Sequence, residues 1–393
     1  MKYNALSLFS SVGLAETYFD KRGIKVVVAN EILKDRAMFH QHLYPESLTI
    51  CGDILDKKIY NQIINESIKR KVDFIIATPP CQGMSTAGLM KKNDSRNSLI
   101  IPAVEIIKTL KPKFAIIENV PEQLLTTIEI NNKDVLIPDY LYEELGNDYL
   151  FNENKVVNAM DYGVAQSRDR CVFLLSRKDQ NVRWEFPKKS RKVVTMRDCI
   201  GDLPSLDPEI TDISHDELLK IFPEYEKKKE AGLKVSKWHY PPRHKLRHVE
   251  AMTHTAEGQT AFDNQIYYPK LKDGTRSKGY KNTYKRQWWD KPAYTITRYT
   301  SRLGSQNNGH PGRLIKDDGT EEGRIYSDAR VMSIYELMLL SSLPSDWNVP
   351  DWASDNLIRE SIGEGIPPLL IDSAIKRICS KSELEKMGVE KND

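Results

Sequence analysis

The chain has 393 residues, of which 40% are hydrophobic and 29% charged, a globular composition that excludes whole-chain disorder and fibrous repeats. Its length predicts about two domains, and a net charge of +3 means that any basic binding surface must be local. Five scattered cysteines without a CxxC pair argue against a disulfide scaffold or a cysteine zinc site, and the lack of a secretory signal or a long apolar run predicts no membrane association.

Short β-branched runs alternate with helical segments in the first third of the chain. Strands are predicted at residues 5–9, 25–29, 73–77, 114–118 and 172–176, and helices from the first strand to Phe19, at 35–43, at 99–110 and, near the C-terminus, at 333–343 and 369–378. Because parallel strands need a crossover connection, this alternation predicts a doubly wound, mostly parallel α/β sheet. The early strands are nearly continuous apolar runs, as expected where both faces of a sheet are covered. The direction of the last strand is left open between parallel and antiparallel.

The composition changes after the first 180 residues, where prolines, basic residues and aromatic residues become frequent and helical periodicity fades. Residues 227–248 hold eight Lys or Arg against one acid, and residues 270–302 hold ten against two. This pattern predicts a second, smaller and basic domain with a hinge at 181–329, beside a main domain formed by 1–180 and 330–393. A solvated charged face is the alternative explanation for the charge.

Three features of the first third are typical of a nucleoside pocket. The first strand leads into a small-residue turn, LFSSVG at 8–13, whose backbone could approach a ligand. Glu31 follows the second strand, where a carboxylate can accept hydrogen bonds from ribose hydroxyls, and Asp53 in GDI is placed to accept from an adenine amino group. An ordinary strand–helix turn and solvated acids are the alternatives, but the three features together favour a nucleoside.

A second group of residues points to nucleophilic chemistry at the same edge of the sheet. Cys81 in TPPCQGMS directly follows the strand at 73–77, and the two prolines before it stiffen the backbone. A cysteine displayed in this way is a candidate nucleophile, whereas a lone cysteine elsewhere is usually buried and inert. Glu118 ends the next strand and would lie in the same cleft. Arg168 and Arg170 alternate in QSRDR, so they could converge on one anion or carbonyl, or form surface ion pairs.

A series of motifs runs along nearly the whole chain in a fixed order. They are SLFSSVG at 7–13, Glu31, GDI at 52–54, PPCQGMS at 79–85, ENV at 118–120, QSRDR at 166–170, RDCIGDLP at 197–204, KPAYTIT at 291–297, SIYELMLLSSLP at 333–344 and SIGEGIPP at 361–368. In this order the chain resembles the DNA (cytosine-5)-methyltransferases, most closely those of bacterial restriction–modification systems. It departs from the family pattern at Ser11, where a glycine is usual, and at Glu364, where an asparagine is usual.

The resemblance implies a class I, Rossmann-like S-adenosylmethionine-dependent methyltransferase fold that methylates carbon 5 of cytosine in double-stranded DNA. In that chemistry Cys81 would add to carbon 6 of the base, and Glu118 would bind or protonate N3. Arg168 and Arg170 would orient the thiolate and hold O2 of the base. Because the target carbon is stacked inside the duplex, the base would have to be flipped out.

The resemblance also implies the ligands and partners. S-adenosylmethionine is the expected donor, S-adenosylhomocysteine the product, and no metal is expected. The implied cofactor contacts are Phe9, Gly13, Glu31, Ile32, Asp53, Ile54, Pro80, Leu99 and Gly365. The implied DNA contacts are Gln82 and Ser85 together with cations of the basic segment, namely Arg276, Lys278, Lys281, Lys285 and Arg286. We expect a monomer in the bacterial cytoplasm, associated with the nucleoid and paired functionally with a restriction endonuclease.

Two other functions are considered beside DNA methylation. One branch of the family methylates tRNA, but that branch has little dedicated recognition domain, whereas this chain has a long basic region. A non-catalytic nucleic-acid-binding relative would have no use for Cys81, Glu118 and Arg170 together. Methyl transfer to DNA, compared with transfer to RNA, separates all three functions.

Overall fold

The computed structural model describes residues 3–80 and 95–379, and Cys81, Gln82 and Ser85 lie outside these ranges. The strands are β1 (Tyr3–Leu8), β2 (Ile24–Glu31), β3 (Leu48–Cys51), β4 (Phe74–Ala77), β5 (Phe114–Asn119), β6 (Thr127–Ile130), β7 (Lys133–Leu136), β8 (Tyr149–Phe151), β9 (Val156–Asn158), β10 (Asp169–Arg177), β11 (Glu209–Ile210), β12 (Arg243–His244), β13 (Leu314–Lys316) and β14 (Ile325–Tyr326). The α-helices are α1 (Lys34–Leu43), α2 (Lys57–Lys69), α3 (Ile100–Leu110), α4 (Ile137–Leu145), α5 (Met196–Ile200), α6 (His215–Ile221), α7 (Tyr225–Val235), α8 (Leu246–Thr253), α9 (Ile334–Leu340), α10 (Asp355–Glu364) and α11 (Pro368–Cys379).

One large sheet carries the first half of the chain. Its strand order is β3-β2-β1-β4-β5-β10-β8, with β9 also paired to β10. Strands β1 to β5 are parallel to one another, whereas β10 is antiparallel to β5, β8 and β9. The predicted doubly wound, mostly parallel α/β sheet is therefore confirmed, with an antiparallel late strand. The strand order reverses between β1 and β4, so a crevice opens beyond the carboxyl ends of these two strands.

Helices cover both faces of this sheet, which explains the continuous apolar runs. Leu6 and Leu8 of β1 pack on one face in a core cluster shared with α2, α3 and α4. Ala5, pointing the opposite way, packs in a second cluster with Trp184 and α11. Full burial of one leucine side chain contributes roughly 1.5–3 kcal/mol to the free energy of unfolding. The many buried side chains of the two clusters therefore stabilise the strands whose ends form the site.

The helix predicted between β1 and Phe19 is wrong, because residues 11–19 form turns. The apolar side chains of this segment belong to two different core clusters. Val12 and Leu14 pack with α9 and α10, whereas Ala15 and Phe19 pack beneath the sheet with α11. The segment therefore divides its apolar side chains between two separate cores, and tertiary packing outweighs helical propensity.

The basic half of the chain contains α6, α7 and α8, which its faded periodicity did not predict. These helices share a hydrophobic cluster of their own, which includes Leu218, Tyr225, Val249 and Met252. Other parts of the same half, including Trp289 of the segment before KPAYTIT, pack instead with α9 and α10. The division into two domains, with boundaries at 181 and 329, therefore stays a prediction. In residues 3–80 and 95–379, no helix is long and apolar enough to cross a membrane.

Candidate active site

The turn after β1 lies at the crevice and has an unusual backbone. Phe9, Ser11 and Gly13 have φ angles of 57°, 48° and 83°, in the left-handed region that residues other than glycine rarely adopt. Neighbouring side chains hold this conformation, since Thr78 donates its hydroxyl to the Phe9 carbonyl at 3.1 Å and Tyr44 donates to the Gly13 carbonyl at 2.5 Å. The hydroxyl of Ser11 is buried and has no hydrogen-bond partner in the described part of the chain.

Glu31 ends β2 beside this turn, and its buried carboxylate is fixed by two backbone groups. The N–H of Ser11 donates to Oε2 and the N–H of Leu33 donates to Oε1, both at 2.8 Å. Each oxygen keeps acceptor capacity for a further donor. Ile32, the residue after Glu31, is 59% exposed, and Asp53 is also exposed. An acid fixed in place therefore stands beside an open apolar side chain.

These residues fit the nucleoside of S-adenosylmethionine. The fixed carboxylate of Glu31 suits ribose hydroxyls, the exposed Ile32 suits a flat apolar ring, and the buried hydroxyl of Ser11 still lacks a partner. The side chain of Ile54 is different, because it is buried in the core cluster. Any contact of Ile54 with a ligand would therefore be made by the backbone of Ile54.

The remaining residues of the predicted cofactor group lie around the same crevice. Phe9 and Leu99 are half-buried and pack against one core cluster, and Pro80 is half-buried at the end of the first described range. Gly365 follows α10, where an added Cβ would stand 2.6 Å from Leu14 Cδ2. The turn after β1 therefore packs closely against the end of α10, and a larger residue at 365 would separate the two.

An ion pair between Glu118 and Arg170 lies at the end of β5. Arg170 Nε is 2.8 Å from Glu118 Oε1, and the side chain of Arg170 is 10% exposed and that of Glu118 7% exposed. Antiparallel pairing of β10 with β5 sets Val172 opposite Glu118, which brings the start of β10 to this edge. Burial raises the pKa of Glu118, and the positive charges of Arg170 and Arg168 oppose that rise. A buried carboxyl with a raised pKa can hold a proton and donate it, as a general acid does.

Arg168 and Arg170 have different partners, although they alternate along the chain. The guanidinium of Arg168 donates to the carbonyls of Ile296 at 2.6 Å, Gly363 at 2.8 Å and Gly365 at 3.0 Å. Arg168 therefore joins the QSRDR segment to the KPAYTIT segment and to the end of α10. Its predicted role at the thiolate stays a prediction, since Cys81 lies outside the described residues.

Two positioning side chains at this edge were missed by sequence reasoning. Asn119 donates from Nδ2 to the Pro79 carbonyl at 3.1 Å, and its Oδ1 accepts from the N–H of Val120 at 2.8 Å. Thr78 binds the turn after β1, as described above. Together they fix the chain immediately before Cys81 to both neighbouring strands. The sequence does show that Asn119 follows Glu118 and that Thr78 precedes Pro79, which could have indicated a role at the site. Nothing in the sequence specified the carbonyls that these two side chains bind.

The structure corrects one predicted DNA contact. Arg286 is fully buried, and its guanidinium donates to the carbonyls of Met252, His310 and Asp328. A side chain enclosed in this way cannot reach a phosphate or a base, so the predicted contact is wrong. Burial also lowers the pKa of Arg286 to about 10, against the attraction of Asp328. Composition revealed the charge at this position, but it could not reveal the carbonyls that enclose it.

The other four side chains of this segment that were predicted to contact DNA are accessible. Arg276, Lys278 and Lys281 are exposed, and Lys285 is half-buried with its Nζ 5.3 Å from the ring centre of Tyr294. Arg276 stacks over Tyr268 at 4.5 Å, so its position is partly fixed. As for metals, residues 3–80 and 95–379 contain no group of three or more His, Cys, Asp or Glu side chains that could hold an ion.

Comparisons with solved structures agree with this fold. A crystal structure of a candidate DNA modification methyltransferase, encoded within a prophage of Escherichia coli, matches with a TM-score of 0.64 at 21% identity and covers 99% of this chain and all of that one. A crystal structure of a Spodoptera frugiperda DNMT2 mutant matches with a TM-score of 0.54 at 16% identity, over 96% of this chain and 99% of that one. At such identities the likeness concerns the fold alone.

Sequence comparisons are more specific. The Type II methyltransferase M1.HgaI of Avibacterium volantium is 41% identical over 389 residues, which cover 97% of this chain and all of that protein. The Type II methyltransferase M1.HphI of Haemophilus parahaemolyticus is 27% identical over 98% of this chain and 89% of its own length. The model of the C-5 cytosine-specific DNA methylase family matches residues 3–380. The chain therefore belongs to the C-5 cytosine-specific DNA methylase family, and it is a DNA (cytosine-5)-methyltransferase whose methyl donor is S-adenosylmethionine.

Proposed function

We propose that this enzyme methylates one cytosine within a specific double-stranded DNA sequence, with Cys81 as the nucleophile and Glu118 as the acid. The observation that carries the proposal is the buried Glu118–Arg170 ion pair at the end of β5. Strand β4 lies next to β5 in parallel, with Ala77 paired to Ile117, and leads through two prolines to Cys81. The general acid and the nucleophile thus follow adjacent strand ends.

In the proposed reaction the Cys81 thiolate forms a bond to carbon 6 of the cytosine, and electron density moves toward C5 and N3. Glu118 donates its proton to N3, which keeps charge from building up on the ring. Arg170 holds the Glu118 carboxyl and stands ready to donate to O2 of the base. S-adenosylmethionine supplies the methyl group that C5 receives. Loss of the C5 proton to water, expulsion of the Cys81 thiolate and return of the N3 proton to the Glu118 carboxylate then complete the substitution.

Several residues of the crevice would hold the donor and its product S-adenosylhomocysteine. Glu31 would accept from the ribose hydroxyls, and Asp53 from the adenine amino group. Phe9, Ile32 and Leu99 would supply apolar contact. The backbone at Gly13, Ile54 and Gly365 and the ring of Pro80 would complete the pocket. No part of this assignment requires a metal.

The basic segment would bind the duplex while the target base is turned out of the stack. Arg276, Lys278, Lys281 and Lys285 would contact phosphates or base edges, and Gln82 and Ser85 would act near the flipped base. A methyl group on C5 lies in the major groove, where a restriction endonuclease would detect it. Two of the similar relatives are named Type II methyltransferases, which supports pairing with such an endonuclease. We further propose a monomer that acts on nucleoid DNA in the bacterial cytoplasm.

Methyl transfer from labelled S-adenosylmethionine tests this function. We expect label in unmethylated genomic DNA and none in tRNA, and sequencing for modified cytosine should show one short motif. Label in tRNA alone would contradict the proposal and support the alternative of a tRNA methyltransferase. Heat-denatured DNA is the matched control, because a duplex-specific enzyme should label it much less.

A further inference from the structure

Glu364 joins two cations that belong to separate parts of the chain. Its Oε2 lies 2.6 Å from Arg36 Nη2 on α1, and its Oε1 lies 3.5 Å from Arg298 Nη1, just after the KPAYTIT segment. The side chain of Glu364 is 27% exposed, that of Arg36 14% and that of Arg298 37%. Because the groups are partly buried, their attraction is screened less than that of a surface pair.

The backbone on either side of Glu364 is held by a third cation. Arg168 Nη2 donates to the carbonyls of Gly363 and Gly365, as described above. An added Cβ at Gly363 would collide with the Thr297 carbonyl, so the end of α10 lies directly against the segment before Arg298. Three guanidinium groups from distant positions therefore converge on the last three residues at the end of α10 and its C-cap.

The end of α10 lies between the two sides of the proposed cofactor pocket. On one side Arg36 stands in the first turn of α1, three residues after Leu33, whose N–H fixes the Glu31 carboxylate. On the other side Gly365 packs on Leu14 of the turn after β1. A carboxylate at position 364 that pairs with α1 therefore draws these two sides of the pocket together.

We propose that Glu364 is a positioning residue that braces the cofactor pocket through simultaneous pairing with Arg36 and Arg298. The proposal rests on the proposed function, because it assumes that the crevice binds S-adenosylmethionine. The brace acts on the shape of the pocket and not on the charge of the ligand. It should therefore strengthen the binding of S-adenosylmethionine and of the product S-adenosylhomocysteine, whose sulfur is uncharged, to the same extent.

Calorimetric titration of the full-length enzyme with each of these two compounds tests the brace. For Glu364→Gln we expect the Kd of both compounds to rise about three- to tenfold, with kcat at saturating donor unchanged. Glu360→Gln is the matched control, since within residues 3–80 and 95–379 Glu360 pairs with Arg298 alone, at 3.4 Å, and is 33% exposed. Its Kd values should change about twofold or less.

Salt and a double-mutant cycle distinguish a brace from a general loss of structure. The difference in Kd between wild type and Glu364→Gln should shrink as the salt concentration rises from about 0.05 M to about 0.5 M. Arg36→Gln should also raise Kd, and Arg36→Gln combined with Glu364→Gln should raise Kd no more than Glu364→Gln alone, because Glu364→Gln already removes this pair. If Glu364→Gln does not fold, Arg36→Gln tests the same pair from the other side.

The possible results separate cleanly. Unchanged Kd values in both Glu364→Gln and Arg36→Gln would overturn the brace and leave the proposed function intact, provided that the wild type binds both compounds. A rise in Kd for S-adenosylmethionine alone would also overturn it, because Glu364 would then act directly on the sulfonium charge. Absence of binding by the wild type would reject the cofactor site itself, and the brace with it.

Discussion

Replacement of Glu118 by glutamine tests the assignment of the general acid. Glutamine keeps the size and one acceptor oxygen of the side chain, but it has no proton to give to N3. The Glu118 carboxyl is buried beside Arg170 at 2.8 Å, so solvent cannot replace it easily as a proton donor. General acid–base catalysis typically contributes about 10²–10⁴-fold, which corresponds to about 3–5.5 kcal/mol of transition-state stabilisation. We therefore expect kcat to fall by about that factor, with little change in donor Kd.

Single-turnover methyl transfer across pH is the assay, because it isolates the chemical step from product release. Burial raises the folded-state pKa of Glu118, so the protonated, donating form persists to a higher pH than for an ordinary glutamate. The wild-type rate should fall as pH rises through that raised pKa, and this limb should be absent from Glu118→Gln. Glu105→Gln, on the exposed side of α3, is the control. A Glu118→Gln enzyme with a near wild-type rate, or with weakened donor binding and an unchanged chemical step, would refute the assignment.

The remaining predictions concern the basic segment. Arg286→Met should lower the free energy of unfolding by about 1–3 kcal/mol, because three buried carbonyls each lose a hydrogen bond, although those of Met252 and Asp328 keep a backbone N–H donor, and urea unfolding should show this; a stable variant with weakened DNA binding would contradict the burial. Lys281→Met should leave unfolding unchanged and reduce the slope of log K against log salt by about one unit if Lys281 contacts a phosphate, whereas an unchanged slope would exclude such a contact. Replacement of residues 181–290 by the matching segment of a relative with another target should move the methylated site, as read by sequencing; a chimera that keeps the original site would place recognition elsewhere.

The sheet was predictable because its strands are bounded apolar runs. Residues 73–77 and 114–118 match β4 and β5 within one residue, and the crossover argument predicts their parallel order. The short strands β8 and β9 were missed, since three residues carry too little pattern and their pairing depends on β10. Helix α6 was also missed, although Ser214 and Glu217 form a capping box that the sequence displays as SHDE.

The candidate site was predictable only as far as strand ends reveal it. Glu31 and Glu118 follow apolar strands, so their place at one edge of the sheet follows from the topology. The hydrogen-bond partners of the site residues cannot be predicted in this way. The Leu33 N–H that binds Glu31 and the backbone carbonyls that bind Arg168 depend on the path of the loops. The same limit explains Arg286, whose charge suggested DNA while its burial depends on residues 24 to 42 positions away.

Covalent trapping of the enzyme tests the central claim, that Cys81 adds to the cytosine ring. Fluorine at C5 cannot leave as a proton does, so methylation of a 5-fluorocytosine in the target sequence should stop at the adduct. The target sequence comes from sequencing of methylated DNA. We expect a denaturation-resistant protein–DNA complex with the wild type and with Cys51→Ser, whose thiol is exposed in the structure, and none with Cys81→Ser. A complex of equal yield with Cys81→Ser, or methyl transfer by that variant at a near wild-type rate, would contradict the account.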